Sequence, residues 1–313
     1  MSAHAVSANV PSADVRLFEV GPRDGLQNET TLLSVDQKVA LIERLVLAGA
    51  RDIEIGSFVH PRWVPQMAET GEVAARLTSD PGTRFWALVP NPIGLERAID
   101  AGVKHVAVFL SSSETHNQNN LNRTIAESLA NLEDACRLAR AEHMMVRAYV
   151  STVFGCPFEG QVDFARVLEI CARLLDFGAF QVSLGDTTGV GKPYQVREGC
   201  RLALEAFGPE AVALHLHDTQ GLALANSLLA YEVGVRHFDS AVAGMGGCPY
   251  APGAAGNVST EDLVNLFEAM GLDTAYDLDA VCATARWLNE ETGIAPRSRY
   301  FAYWGAHHPQ QVP

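Results

Sequence analysis

A strand-sized apolar run recurs eight times between Val15 and Val242, each time followed by a longer segment, and this recurrence constrains the 313-residue chain more than any other feature. The runs are Val15–Val20, Asp52–Phe58, Arg84–Pro90, His105–Ser111, Val146–Val153, Phe180–Asp186, Val212–Asp218 and His237–Val242. Val, Ile, Leu and Phe dominate them, as expected for buried strands. The intervening segments carry helical spacing. In Ser34–Gly49, Ser34 offers an N-cap, Val35, Val39, Ile42 and Val46 fall on one helical face, and Gly49 ends the helix. The same glycine punctuation returns at Gly102, Gly178 and Gly234. Strand–helix alternation demands a parallel sheet covered by helices. Eight such units predict closure into a (β/α)8 TIM barrel, with an open doubly wound sheet as the alternative. The expected organisation is a flexible N-terminal tail over residues 1–13, a catalytic barrel over 14–271 and a C-terminal helical extension over 272–313. A helix is expected from about Ser259 to Gly271, another over Leu278–Gly293, and an aromatic run spans Arg299–Trp304.

Composition removes several function classes. With 48% hydrophobic and 19% charged residues the chain has enough apolar material for a large core and too little charge for wholesale disorder. A net charge of −14 argues against binding nucleic acid or an anionic membrane, since phosphates would be repelled, but not against a small anionic substrate in a locally basic cleft. The six cysteines include no CxxC pair, and a chain of this size needs no disulfide staples, so reduced, mostly buried thiols are expected. Met1–Ala13 lacks an apolar signal core and the arginines of a mitochondrial presequence, and no apolar run is long enough to cross a membrane. The expected location is the cytoplasm.

Active sites of such barrels sit at the C-terminal ends of the strands. There the sequence places Gly21-Pro22-Arg23-Asp24-Gly25-Leu26-Gln27 after the first run, Glu54 in the second, Asp186 at the end of the sixth, His215-Leu216-His217 in the seventh and Gly246-Gly247-Cys248-Pro249, then Asn257, after the eighth. Residues two apart on a strand share a face, so His215 and His217 project together while Leu214 and Leu216 turn towards the helices. In a closed barrel the first, seventh and eighth strands are neighbours, and Asp24, His215, His217 and Asn257 can converge on one ion. Two imidazoles with two oxygen donors suit Mg²⁺ or Mn²⁺; two His and a carboxylate also describe a non-haem iron site. Arg23, beside Asp24, suits an oxyanion that develops during reaction, or else a structural pairing with Glu54 or Asp186. Glu54 should point inwards and need a partner, for which Arg23 is available. Cys248, between small residues, is a candidate proton donor or acceptor.

Taken together, Val20–Glu29, Ile53-Glu54 with Ser57-Phe58-Val59, Gly185–Gly189, His215–Thr219 and Ala243–Asn257 resemble the 3-hydroxy-3-methylglutaryl-CoA lyase family, in the same order from about Val15 to Gly271. Gly246–Gly253 is the most specific element, since isopropylmalate and homocitrate synthases share the barrel and the His-x-His pair. The resemblance implies divalent-metal-dependent retro-Claisen cleavage of an acyl-CoA substrate to acetyl-CoA and acetoacetate, in a homo-oligomer. It implies Asp24, His215, His217 and Asn257 as metal ligands, Arg23 as the group opposing enolate charge, and Glu54, Asp186, Cys248 and His215 as catalytic or supporting groups. Gln27, with Arg23 on the substrate side, and Glu261 are further carry-overs. The chain departs from many relatives in having Thr30 where they carry Lys, and His116–Asn119 where they carry basic residues. Fewer cations there leave room for a close 3-hydroxyacyl-CoA analogue. An aldolase or acyl-CoA synthase on the same barrel is the main alternative.

Overall fold

The computed structural model describes residues 13–78, 82–247 and 256–308. The expected N-terminal tail therefore lies outside the described residues except for Ala13. Eight parallel strands close into a barrel in chain order: β1 (Arg16–Glu19), β2 (Asp52–Ser57), β3 (Arg84–Leu88), β4 (His105–Ser111), β5 (Met145–Ser151), β6 (Gln181–Asp186), β7 (Val212–Leu216) and β8 (His237–Ser240). The seam is β1 on β8, with Leu17 opposite Phe238 and Glu19 opposite Ser240. The chain is thus a (β/α)8 TIM barrel with further helices at its C-terminus.

Each strand feeds an outer helix. These are α1 (Val35–Leu47), α2 (Thr70–Arg76), α3 (Pro92–Asp100), the pair α4 (Glu114–Leu121) and α5 (Ile125–Ala141), α6 (Phe164–Asp176), α7 (Pro193–Phe207), α8 (Ala223–Val233) and α9 (Thr260–Ala269). Ser34 caps α1 in a reciprocal box with Gln37, so orphan N–H groups at the start of the helix are satisfied locally. The outward side chains of the strands, including Val182, Leu184, Leu214 and Leu216, join α5, α6 and α7 in one continuous apolar layer. Leu214 and Leu216 therefore lie on the helix side, as the strand parity of His215 and His217 requires.

After α9, α10 (Leu278–Thr292) lies on α1 and buries Val281, Cys282, Ala285 and Leu288, and α11 (Arg299–His307) docks through Trp304, whose indole N–H donates to Asp279. Gly49 is needed at the α1–α10 contact: its φ is +105°, and a Cβ there would lie 2.2 Å from Ala275 O. Among the described residues no helix is long and apolar enough to cross a membrane.

Candidate functional site

Beyond β1 the chain makes a single π turn over Gly21–Gly25, with Gly25 N–H donating to Val20 O at 3.1 Å. Such widened turns favour functional sites because they re-aim side chains. Small residues permit it: a Cβ on Gly21 would meet Glu19 Oε1 at 2.6 Å, and one on Gly25 would meet Met245 Cβ at 2.9 Å. Arg23 and Asp24 ride on this turn at the barrel mouth.

The β7 ladder ends at Leu216, two residues short of the predicted run, because His217 pairs with another segment. Residues 256–258 return alongside it: Asp218 N–H donates to Gly256 O at 2.9 Å, Val258 N–H donates to Leu216 O at 3.0 Å, and His217 and Asn257 form an antiparallel bridge. This brings Asn257 onto Asp24, its Nδ2 donating to Asp24 Oδ2 at 2.9 Å.

Asp24, His215 and His217 form a cluster in which one potential ligand atom from each lies within 4.8 Å of the others. Nε2 of His215 and Nε2 of His217 each lie 3.9 Å from Asp24 Oδ2. That is too long for a hydrogen bond but shorter than the about 4.2 Å that two metal–ligand bonds can span end to end. Among the described residues, the buried Asn257 Oδ1 also has no hydrogen-bond partner. The donor set therefore fits a divalent cation. Burial would raise the pKa of Asp24, but Arg23, helped by His215, His217 and Asn257, reverses this and holds the carboxyl well below the usual range. His217 is lowered to about 4 by burial and by His215, which keeps it in the neutral, ligating form at pH 7.

A second layer fixes these groups. Arg23 Nε donates to Glu54 Oε2 at 2.6 Å and its Nη1 pairs with Asp24, so the expected partnership with Glu54 is present. Nη2 makes no hydrogen bond among the described residues. Tyr149 donates to the same Glu54 oxygen at 3.3 Å. Burial raises the Glu54 pKa in spite of Arg23. His215 Nδ1 lies 3.1 Å from Asp239 Oδ2, and Asp239 also receives both terminal nitrogens of the fully buried Arg147, at 2.6 and 3.3 Å, and the hydroxyl of Ser183 at 2.9 Å.

The remaining predicted residues are less central. Asp186 fastens the turn after β6: Val190 N–H and Gly191 N–H donate to its two oxygens at 3.1 and 2.9 Å, while burial raises its pKa to about 6. Gln27 is half-buried just past the π turn. Glu261, wholly buried, accepts Ala243 N–H and is raised to about 8 by burial. Cys248 lies outside the described residues. Sequence reasoning missed Asp239, Arg147 and Tyr149. The signals were a charged residue inside the β5 run and an aspartate which the β7–β8 register sets opposite His215.

The HMGL-like family matches residues 14–288. A hydroxymethylglutaryl-CoA lyase from Pseudomonas mevalonii is 48% identical over 91% of this chain and 95% of its own length. The crystal structure of hydroxymethylglutaryl-CoA lyase from Pseudomonas aeruginosa superposes with a TM-score of 0.92 at 42% identity, covering 94% of this chain and 98% of that one. An HMG-CoA lyase from Acinetobacter baumannii, solved in complex with coenzyme A and 3-methylmalate, gives 0.88 at 38% identity over 95% and 96% of the two chains. With its barrel, its rim cluster and these likenesses along nearly its whole length, the chain belongs to the HMGL-like family of hydroxymethylglutaryl-CoA lyases.

Proposed function

We propose that this protein cleaves 3-hydroxy-3-methylglutaryl-CoA, or a close 3-hydroxyacyl-CoA analogue, to acetyl-CoA and acetoacetate, using Mg²⁺ or Mn²⁺ held by Asp24, His215, His217 and Asn257. The observation that carries the reading is the meeting of two imidazoles and an ionised carboxylate at one point, with a guanidinium beside it. Nitrogen and hard oxygen donors without thiolate match the two ions. When bound, the ion would supply Lewis acidity to the tertiary hydroxyl, which would ease transfer of its proton to a base in the site.

The chain's own residues do the rest. As the C2–C3 bond breaks, its electron pair moves to the thioester oxygen, and Arg23 opposes the charge that develops there. Glu54 and Asp24 hold two of the guanidinium nitrogens, so Arg23 is oriented before substrate arrives. Gln27, half-buried just past the π turn, is assigned to substrate binding. Asp186 supports the site by fixing the β6–α7 turn. The acetyl carbon then gains a proton. Of the two candidates, Cys248 and His215, the thiol is preferred, because the His215 nitrogens are committed to Asp239 and to the ion site. The A. baumannii relative's coenzyme A complex supports an acyl-CoA substrate for this chain. A cytoplasmic location and self-association complete the proposal; the free, buried Cys136, Cys156, Cys171, Cys200 and Cys282 suit a reducing compartment.

The test is release of acetoacetate from hydroxymethylglutaryl-CoA with Mg²⁺ or Mn²⁺, beside an Arg23→Met variant. The wild type should turn over only with the ion, and the variant should lose at least about 10²–10³-fold in kcat. Wild-type protein that releases no acetoacetate with either ion overturns the substrate reading, and an unimpaired variant removes the oxyanion role of Arg23.

A further inference from the structure

The interior of the barrel beneath the ion site holds a charged pair that the reaction as described does not use. Arg147 on β5 and Asp239 on β8 are both fully shielded from solvent, and they meet across the barrel rather than between neighbouring strands. The guanidinium lies 4.2 Å from the centre of the Phe18 ring and 4.9 Å from that of Tyr149, while its Nε donates to Gln181 Oε1 at 2.9 Å. Arg147 is therefore fixed on several sides and presents its two terminal nitrogens to Asp239. Ser183 adds a third donor to that carboxylate, on the oxygen that also faces His215 Nδ1.

A buried ion pair is a poor stabiliser, because desolvation offsets most of the attraction. Its position gives it another use. A carboxylate surrounded by an arginine and a hydroxyl donor stays ionised and acts only as an acceptor. The imidazole nitrogen facing it must then be the donor, so only the other nitrogen can offer a lone pair. For His215 that other nitrogen is Nε2, the atom turned towards Asp24. Among the described residues His217 Nδ1 has no such partner, and there this control falls on His215.

We propose that Asp239, clamped by Arg147, is the positioning residue that fixes His215 as the Nδ1–H tautomer with Nε2 aimed at the ion site. The inference rests on the metal reading given above, and its test separates the two. In metal-free wild-type protein, ¹⁵N spectra of the histidine rings, with His215 assigned from a His215→Gln variant, should show the proton on Nδ1; a proton on Nε2 overturns the proposal whatever the protein binds. The paired change Arg147→Met with Asp239→Asn avoids leaving a lone buried charge. It should displace His215 from the pure Nδ1–H form and weaken Mn²⁺ binding, measured by calorimetry on the full chain, by about 10- to 100-fold. An unaltered ring spectrum, or Mn²⁺ binding within about twofold of wild type in the folded variant, overturns the proposal. Wild-type protein with the Nδ1–H ring but no affinity for Mn²⁺ defeats the metal reading and keeps the positioning one. Should the double variant not fold, the wild-type ring spectrum decides.

Discussion

Glu19 sits wholly buried beneath the Arg23–Asp24 turn, where Gly21 N–H and Val242 N–H donate to one oxygen at 2.8 and 3.0 Å and Thr260 donates to the other at 2.6 Å. Burial outweighs these donors and raises its pKa from 4.5 to about 7. A carboxyl raised in the folded state binds more protons folded than unfolded, so stability is lost as pH climbs from about 4.5 to about 7. Glu19→Gln keeps an acceptor for the two N–H groups and offers a donor to Thr260. By chemical denaturation, variant and wild type should be nearly equal at pH 4, with the variant ahead by about 3 kcal/mol at pH 8. An identical difference at both pH values would exclude ionisation as the cause. A second residue-scale prediction concerns Gly246, whose φ is +116° and whose added Cβ would lie 2.7 Å from Asn257 Nδ2. Gly246→Ala should cost about 1–2 kcal/mol in backbone strain and displace Asn257, weakening Mn²⁺ affinity measured by calorimetry; unchanged affinity would remove Asn257 from the ligand set. At this scale the rim residues were readable, because Arg23, Asp24, His215 and His217 interrupt or end apolar runs. Asp239 and Arg147 were not. Each lies inside a strand, and its meaning depends on what the barrel register sets opposite it.

Helices and turns divide in the same way. The start of α1 could be read from Ser34 and the spacing behind it, and the cap is present with Gln37 completing the box. Ser34→Ala should lower stability by about 1 kcal/mol while kcat stays unchanged, since the exposed Ser34 hydroxyl accepts from Gln37 within its own helix; a kcat loss beyond about twofold in the folded variant would contradict a purely structural cap. The C-terminal punctuation was equally plain: Gly293 ends α10 in a left-handed turn as its position predicted. The π turn was hidden. Gly21-Pro22-Arg23-Asp24-Gly25 reads as an irregular loop, and only the Gly25 to Val20 bond shows that the backbone is wound one residue wider than an α turn. The shortened β7 ladder was hidden for a related reason. Apolar pattern reports where side chains are buried, whereas the exchange of partners at His217 is a backbone event set by the returning segment 256–258.

Ion binding should be felt by the whole barrel, because the candidate ligands come from the turn after β1, the end of β7 and the segment after β8. Mn²⁺ that binds only the folded state should raise Tm, with a gain of about 2.7 kcal/mol at a hundredfold excess over Kd, and chelator should reverse it. A melting curve indifferent to saturating Mn²⁺ would speak against a shared ion. The barrel was legible as a whole because the strand–helix period runs unbroken through eight units, while the packing of α10 on α1 is a tertiary choice that periodicity does not encode. Asp24 and Asn257, 233 residues apart, touch only where the first and last strands meet. A cation lodged between them would act as a clasp across the join of the cylinder. A nascent or partly unravelled chain lacks the complete ligand set, so uptake of the ion reports that the circle has closed. Circular permutants opened elsewhere on the barrel should take up the ion once folded, whereas fragments ending before Asn257 should not.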